Sequence, residues 1–285
     1  MGSAAAEGPP SGEGSSMPSW NIHIAQAERL LARDGACARF VRDANAFLFG
    51  NLVPDIPVGY MVPGAPHITY RETHFTEPVP IPKPDEERFW RSFAEPLVAA
   101  AGEQPSAAPA AQPGFVPPAD LARTPAIRGT SRTSVPYPDP PAPAPEVAHG
   151  RSVLDLALGA WAHLLADHIW NKRVNEYLDQ IGGKPGEEFR IKKQADFDGF
   201  GRTLEISSVP LETPALLSAA EAFPQYPVAA PQVHDAIVVA HEIVRTNGVP
   251  EHLPYRLLTE EFFVRVFDEV LDETDRLLAD RLGSR

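Results

Sequence analysis

A single cysteine, Cys37, stands among 285 residues, so neither a disulfide framework nor a cysteine zinc finger can be built. Positive charge is also short: 25 Lys and Arg face 38 Asp and Glu, a net charge of −13. That balance argues against duplex nucleic acid as a partner, because binding it takes clustered cations that displace counterions. No run of 18 apolar residues occurs, which removes a membrane-spanning helix. A G-x-x-x-x-G-K phosphate loop and a G-x-S-x-G elbow are both missing, which sets aside P-loop nucleotide enzymes and the usual serine hydrolases. Strand signals are scarce, Leu204-Glu205-Ile206 being the best short candidate.

Proline is in excess. There are 32, about 11% against a usual share near 5%. Seventeen of them fall between Pro78 and Pro145. Pro78, Pro80, Pro82 and Pro84 alternate and predict an extended segment, since each disfavours helix for itself and its predecessor. Asp85 can then cap a short helix whose apolar stripe is Phe89, Trp90, Phe93 and Leu97. From about Gly102 to Gly150 the chain turns to Ala, Pro, Ser and Thr, a linker composition expected outside the core and open to a proline-recognition partner. Residues 1–16 are small, polar and Gly/Pro-rich; they read as a disordered extension without a secretory signal, with Met17 as a candidate start. A cytoplasmic protein follows, with Cys37 a reduced core thiol.

The remaining pattern predicts an all-α domain of residues 17–76 and 151–285, interrupted by a Pro-rich insertion over 77–150 with one short helix near 85–100. Trp20 to Arg33 has helical apolar spacing, and Ala38 to Phe49 reads as a second helix stopped by Gly50. Ser152 and Asp155 give an S-x-x-D start signal for a helix running to about Gln180, where Gly182-Gly183 stops it. That helix is apolar over most of its circumference and is expected at the centre. Pro231 opens another helix to about Arg245, and Thr259 to Leu282 is a long amphipathic one. Lys192-Lys193, beside Asp196 and Asp198, reads as a solvated loop, with a basic pair able to hold a substrate phosphate as the alternative.

The chemistry-bearing residues are few. His163 and Asp167 lie four apart within the central helix and share a face. A carboxylate among Leu and Trp is costly unless paired or bound to a cation; a His–Asp pair and a metal ion both meet that need. Asp55 follows a turn in Gly50-Asn51-Leu52-Val53-Pro54-Asp55, His74 lies in Thr73-His74-Phe75, and His23 lies in Trp20-Asn21-Ile22-His23.

In this order the pieces resemble the zinc-dependent phospholipase C family, which shares its helical fold with single-strand-specific zinc nucleases. The resemblance covers about residues 17–76 and 151–205 and rests on Trp20 with His23, the loop from Gly50 to Asp55, Thr73-His74-Phe75, and the helix from Leu158 to Asp167. It implies an all-α fold and a cluster of one to three zinc ions held by Asp55, His74, His163 and Asp167, with His23 as a further candidate. It also implies hydrolysis of a phosphodiester or phospholipid, with Asp55 orienting the attacking water or accepting its proton. Two departures stand out. Secreted members bind zinc through a free N-terminal Trp amine, whereas Trp20 here follows Met17-Pro18-Ser19. The family's further His, and its second His with an acid four residues on, have no clear match; His168, Asp196, Asp198, His241 and Glu242 are the available substitutes.

Two alternatives belong beside this reading. The fold can be a non-catalytic metalloprotein or interaction protein that uses the Pro-rich insertion. His234-Asp235 also invites an HD-type phosphohydrolase, with His163 or His74 leading and Asp268 or Asp272 closing.

Overall fold

The computed structural model describes residues 19–101 and 149–283, except 60, 63, 66, 227 and 250–253. The extension over 1–16, Met17 and the linker from 102 to 148 lie outside the described residues. The architecture is all-α, and no strand occurs among the described residues, so Leu204-Glu205-Ile206 is irregular chain.

The centre is α7, which runs from His149 to Gln180; its 32 residues span about 48 Å. Nearly every side chain from Ser152 to Asp167 is buried, as expected of a helix apolar all round. Its stop is the predicted one: Gly182 has φ +65°, and the Gly183 amide reaches back to the Leu178 carbonyl. Its start is not. The helix already begins at His149, and Ser152 and Asp155 are interior residues with other tasks. Ser152 donates to Asp43, while Asp155 accepts from the Arg42 and Asp43 amides and pairs with Arg151.

Around α7 pack α1 (Trp20–Ala32), α2 (Ala36–Phe40) and α3 (Ala44–Gly50). The single helix expected over Ala38 to Phe49 is therefore two, because Asp43 caps α3 by accepting from the Ala46 amide. Gly50 is not a left-handed stop either. A Cβ on Gly50 would meet the Leu156 carbonyl oxygen at 2.2 Å, and one on Gly159 would meet that of Phe47 at 2.2 Å. The two glycines let the backbones of α3 and α7 touch, which aims the loop after α3 at the α7 face carrying His163.

After a 3-10 turn, Val53–Asp55, comes α4 (Tyr70–His74), opened by a capping box of Thr69 and Glu72. Asp85 caps α5 (Glu86–Phe89), which continues through a π turn over Trp90–Ala94 into α6 (Glu95–Ala101). Ile81, Phe89, Trp90 and Ala94 are buried in the main core, so this part of the Pro-rich segment is packed structure. The remaining helices are α8 (Glu187–Thr203), α9 (Pro214–Ala222), α10 (Ala230–Thr246) and α11 (Glu260–Leu282), the last capped by Thr259. The loop reading of Lys192-Lys193 is corrected: both are helical, and Lys193 and Asp196 are buried. Asp196 collects the amides of Arg256, Leu257 and Leu258, a partner set no local pattern reveals. Cys37 is a buried free thiol. Among the described residues, no helix is long and apolar enough to cross a membrane.

Candidate metal centre

Three segments converge on one face of α7. Helix α1 supplies His23, the 3-10 turn Asp55, the last residue of α4 His74, and α7 both His163 and Asp167. These five were the sequence candidates, and the structure brings all of them together. His74 Nε2 lies 3.1 Å from His163 Nε2, 3.5 Å from Asp55 Oδ1 and 3.5 Å from Asp167 Oδ2. His163 Nε2 lies 3.9 Å from Asp55 Oδ1 and 3.6 Å from Asp167 Oδ2. His23 Nε2 lies 3.2 Å from Asp167 Oδ1, and its ring stacks on that of His163 with centroids 3.9 Å apart.

The outer nitrogens decide where the lone pairs go. His163 Nδ1 sits 2.8 Å from the Asn51 carbonyl, which only accepts, so that nitrogen carries the hydrogen. His74 Nδ1 lies 2.7 Å from the Thr73 hydroxyl. That hydroxyl gives its own hydrogen to the Tyr70 carbonyl and so accepts from the imidazole. Both Nε2 atoms are thereby left as lone pairs, 3.1 Å apart and facing each other. Two acceptors in that position repel unless a cation lies between them. Outward N–H groups tied to carbonyls or hydroxyls are also what fixes the rings of metal-binding histidines.

Burial works in the same direction. It holds His23 down at about 3, His74 well below the usual imidazole range and His163 below it. The imidazoles are thus neutral, the state that binds metal. Burial raises the Asp55 carboxyl to about 6 and the Asp167 carboxyl to about 7, with His163 and the hydrogen bonds from Trp20 and Tyr70 pulling back. Without a cation the cluster is poorly satisfied. His23 Nδ1 and Nε2 and Asp167 Oδ1 are buried and make no hydrogen bond. Trp20 Nε1 donates to Asp55 Oδ2 at 3.0 Å, and the Tyr70 hydroxyl donates to Asp167 Oδ2 at 3.3 Å while its ring stacks on His74.

The donor spacing fits a small divalent ion. Zinc bonds of about 2.0–2.2 Å put tetrahedral ligand atoms about 3.3–3.6 Å apart. Asp55, His74 and His163 form a triad with edges of 3.1, 3.5 and 3.9 Å, and His23, His163 and Asp167 form a second group within ligand reach. Asp55 alone keeps exposed side-chain surface, 14%, while the other four have none.

The substitutes offered by the sequence do not join the cluster. His168 Nδ1 holds the Pro84 carbonyl and lines a separate groove of about 390 Å³ with Glu86, Lys172, Glu269 and Arg281. Asp196 is committed to backbone amides, Asp198 accepts from Gln194, and exposed Glu242 pairs with Arg245. His234 pairs with Glu212 on the surface, and Asp272 pairs with Arg33, so the residues of the HD pattern are not gathered. What sequence reasoning missed is Lys193. It is 1% exposed on α8 and near enough for its charge to be felt by Asp167. A period-3.6 reading of residues 187–203, with Phe189, Phe197 and Phe200 on the Lys193 side, was the signal available.

Fold and site together define an all-α architecture with a largely buried His/Asp cluster that is a candidate metal site. The chain matches no family model, no curated protein and no solved structure.

Proposed function

We propose that the protein is a zinc-dependent phosphodiester hydrolase of the phospholipase C type. The observation that carries this reading is the Asp55–His74–His163 triad: two neutral imidazoles with facing lone pairs and a carboxylate at the one exposed edge. Three protein ligands beside an accessible position is the arrangement of a catalytic site, whereas a structural zinc is closed on all sides. A divalent ion held there supplies a Lewis acid for the phosphoryl oxygen and lowers the pKa of a water at neutral pH.

The chain's own residues do the rest. Asn51 and Thr73 fix the two rings, and Trp20 holds Asp55 Oδ2, leaving Oδ1 toward the imidazoles. At the accessible edge Asp55 orients the attacking water or takes its proton. Met61 and Ile68, exposed on the chain between Asp55 and α4, suit a phosphodiester with an apolar group, the phospholipid case. A net charge of −13 disfavours an anionic membrane surface and favours a neutral lipid interface or a dispersed substrate. The buried thiol of Cys37 accords with a cytoplasmic setting.

The second reading is a non-catalytic metalloprotein. The observation favouring it is that His23, His74, His163 and Asp167 have no exposed surface at all. One experiment separates the two: zinc content of the purified chain, then hydrolysis of bis-p-nitrophenyl phosphate with chelator and after zinc is restored. Bound zinc with chelator-sensitive turnover supports the hydrolase. Bound zinc without turnover leaves the metalloprotein, and a chain that binds no zinc ends both readings.

A further inference from the structure

His74 is the last residue of α4, a helix of five residues, and what holds that end lies far away in the chain. So short a helix leaves its carbonyls to other donors. The Arg71 carbonyl accepts from the Phe75 and Thr76 amides, and the Tyr70 carbonyl accepts from the Thr73 hydroxyl. The Thr73 carbonyl accepts from the hydroxyl of Tyr226, 153 positions on. That carbonyl belongs to the peptide unit that enters His74. Thr73 thus acts on His74 twice: its hydroxyl takes the hydrogen of His74 Nδ1 at 2.7 Å, and its carbonyl is tied to Tyr226.

Tyr226 is itself firmly held. It is 1% exposed, and its ring lies over that of Phe89 with centroids 6.1 Å apart and planes 12° apart. Phe223 packs beside it at 5.8 Å, and the Gln225 side chain hydrogen-bonds the same hydroxyl. The chain leaves α4 through Phe75 at φ +56°, the one non-glycine residue with positive φ among the described residues. A left-handed residue that carries a side chain persists only where its surroundings impose it. Phe75 packs on Phe89 at 6.0 Å and on Phe93 at 6.1 Å, so one wall of rings braces both this exit and Tyr226.

Building on the metal reading above, we propose that Tyr226 is a positioning residue of the metal centre. Through the Thr73 carbonyl it fixes the peptide plane before His74, and so the aim of His74 Nε2 at the space it shares with Asp55 and His163.

The test removes one oxygen. Tyr226→Phe keeps the ring on Phe89 and loses the hydroxyl. Zinc affinity of the full-length chain should fall about 10–100-fold, the usual cost of losing an outer partner of a metal ligand. In the metal-free chain labelled with ¹⁵N-histidine, the Nδ1–H of His74 should exchange with water faster, while that of His163, held by Asn51, keeps its rate. An equal change at both rings would mean general loosening and overturn the inference. Unchanged zinc affinity in folded Tyr226→Phe would also overturn it and leave the metal reading intact. No zinc bound by wild type would remove the metal reading, and the positioning role with it. Should Tyr226→Phe not fold, wild type carries the test: the Tyr226 hydroxyl proton should give a slowly exchanging resonance that shifts when zinc binds, and a resonance that zinc leaves in place would overturn the inference.

Discussion

Two sets of buried acids in this protein behave in opposite ways. Glu28, Asp155 and Asp196 each sit at the junction of distant segments and are met by backbone N–H groups. Glu28 accepts from the Ser207 and Ser208 amides, Asp155 from those of Arg42 and Asp43, and Asp196 from those of Arg256, Leu257 and Leu258. Asp55 and Asp167 instead face imidazole nitrogens, an indole and a phenol. The first set closes loops onto helices. The second is left in want of positive charge, and the lone pairs of His74 and His163 aim at the same space. A buried carboxylate is therefore informative only once its partners are known. Amides make it a fold staple, and facing acceptors make it a candidate ligand.

The sharpest way to break the comparison is to remove a member of each set. Asp196→Ala strips three amides of their acceptor and should cost about 3 kcal/mol or more, since each orphaned buried donor costs about 1–3 kcal/mol. Denaturant midpoints measure the loss, and the gain in stability on adding zinc should survive. Asp167→Asn should do the reverse. Zinc affinity by calorimetry should fall at least about 100-fold, while the metal-free variant stays near wild-type stability. A variant as unstable as Asp196→Ala would make Asp167 a staple.

Packing supplies the next test. Gly159→Ala places a methyl against the Phe47 carbonyl and should cost about 1–3 kcal/mol by overpacking. Because the same contact positions Asn51 against His163, zinc affinity should weaken with it. Unchanged affinity in a destabilised variant would separate the crossing from the centre.

Acidity separates the two sets more gently. Burial raises the carboxyls of Asp55 to about 6 and Asp167 to about 7, above the ordinary 3.8. The folded metal-free chain then keeps protons that the unfolded chain has released. Their stabilising contribution is complete below about pH 4 and disappears as pH rises through about 6 to 7. Zinc displaces those protons, so the rise in Tm that zinc produces should grow from pH 5 to pH 8. Asp155, raised to about 6 by burial, titrates with or without zinc and cancels from the difference. A zinc-induced shift that is flat with pH would mean that neither carboxylate binds. The smallest effect belongs to His234→Ala on the surface. Its exposed pair with Glu212 should be worth under about 1 kcal/mol, with zinc content unchanged.

Much of this molecule was legible along the chain. The central helix announced itself by apolarity over most of its circumference, the last helix by its stripe from Phe262 to Leu278, and α5 by the cap Asp85. The candidate ligands could be named because His and Asp four apart on an apolar helix are conspicuous. Legibility failed where partners are remote. The break between α2 and α3 depends on Asp43 capping one helix while Asp155, 112 positions on, holds its amide. Phe89 and Trp90 read as the apolar stripe of a short helix inside the insertion; that they belong to the main core was not legible, because Tyr226 and Trp161, which pack on them, are remote in sequence.

The sequence alone determined the long central and C-terminal helices and the five candidate ligands, because periodicity, capping and side-chain chemistry are local. Only the tertiary structure decided that residues from 23 to 167 meet within 4 Å, that Lys193 is buried, and which buried acids are staples. Desolvation and hydrogen bonding depend on what the rest of the chain brings to a side chain, and no spacing along the sequence encodes that.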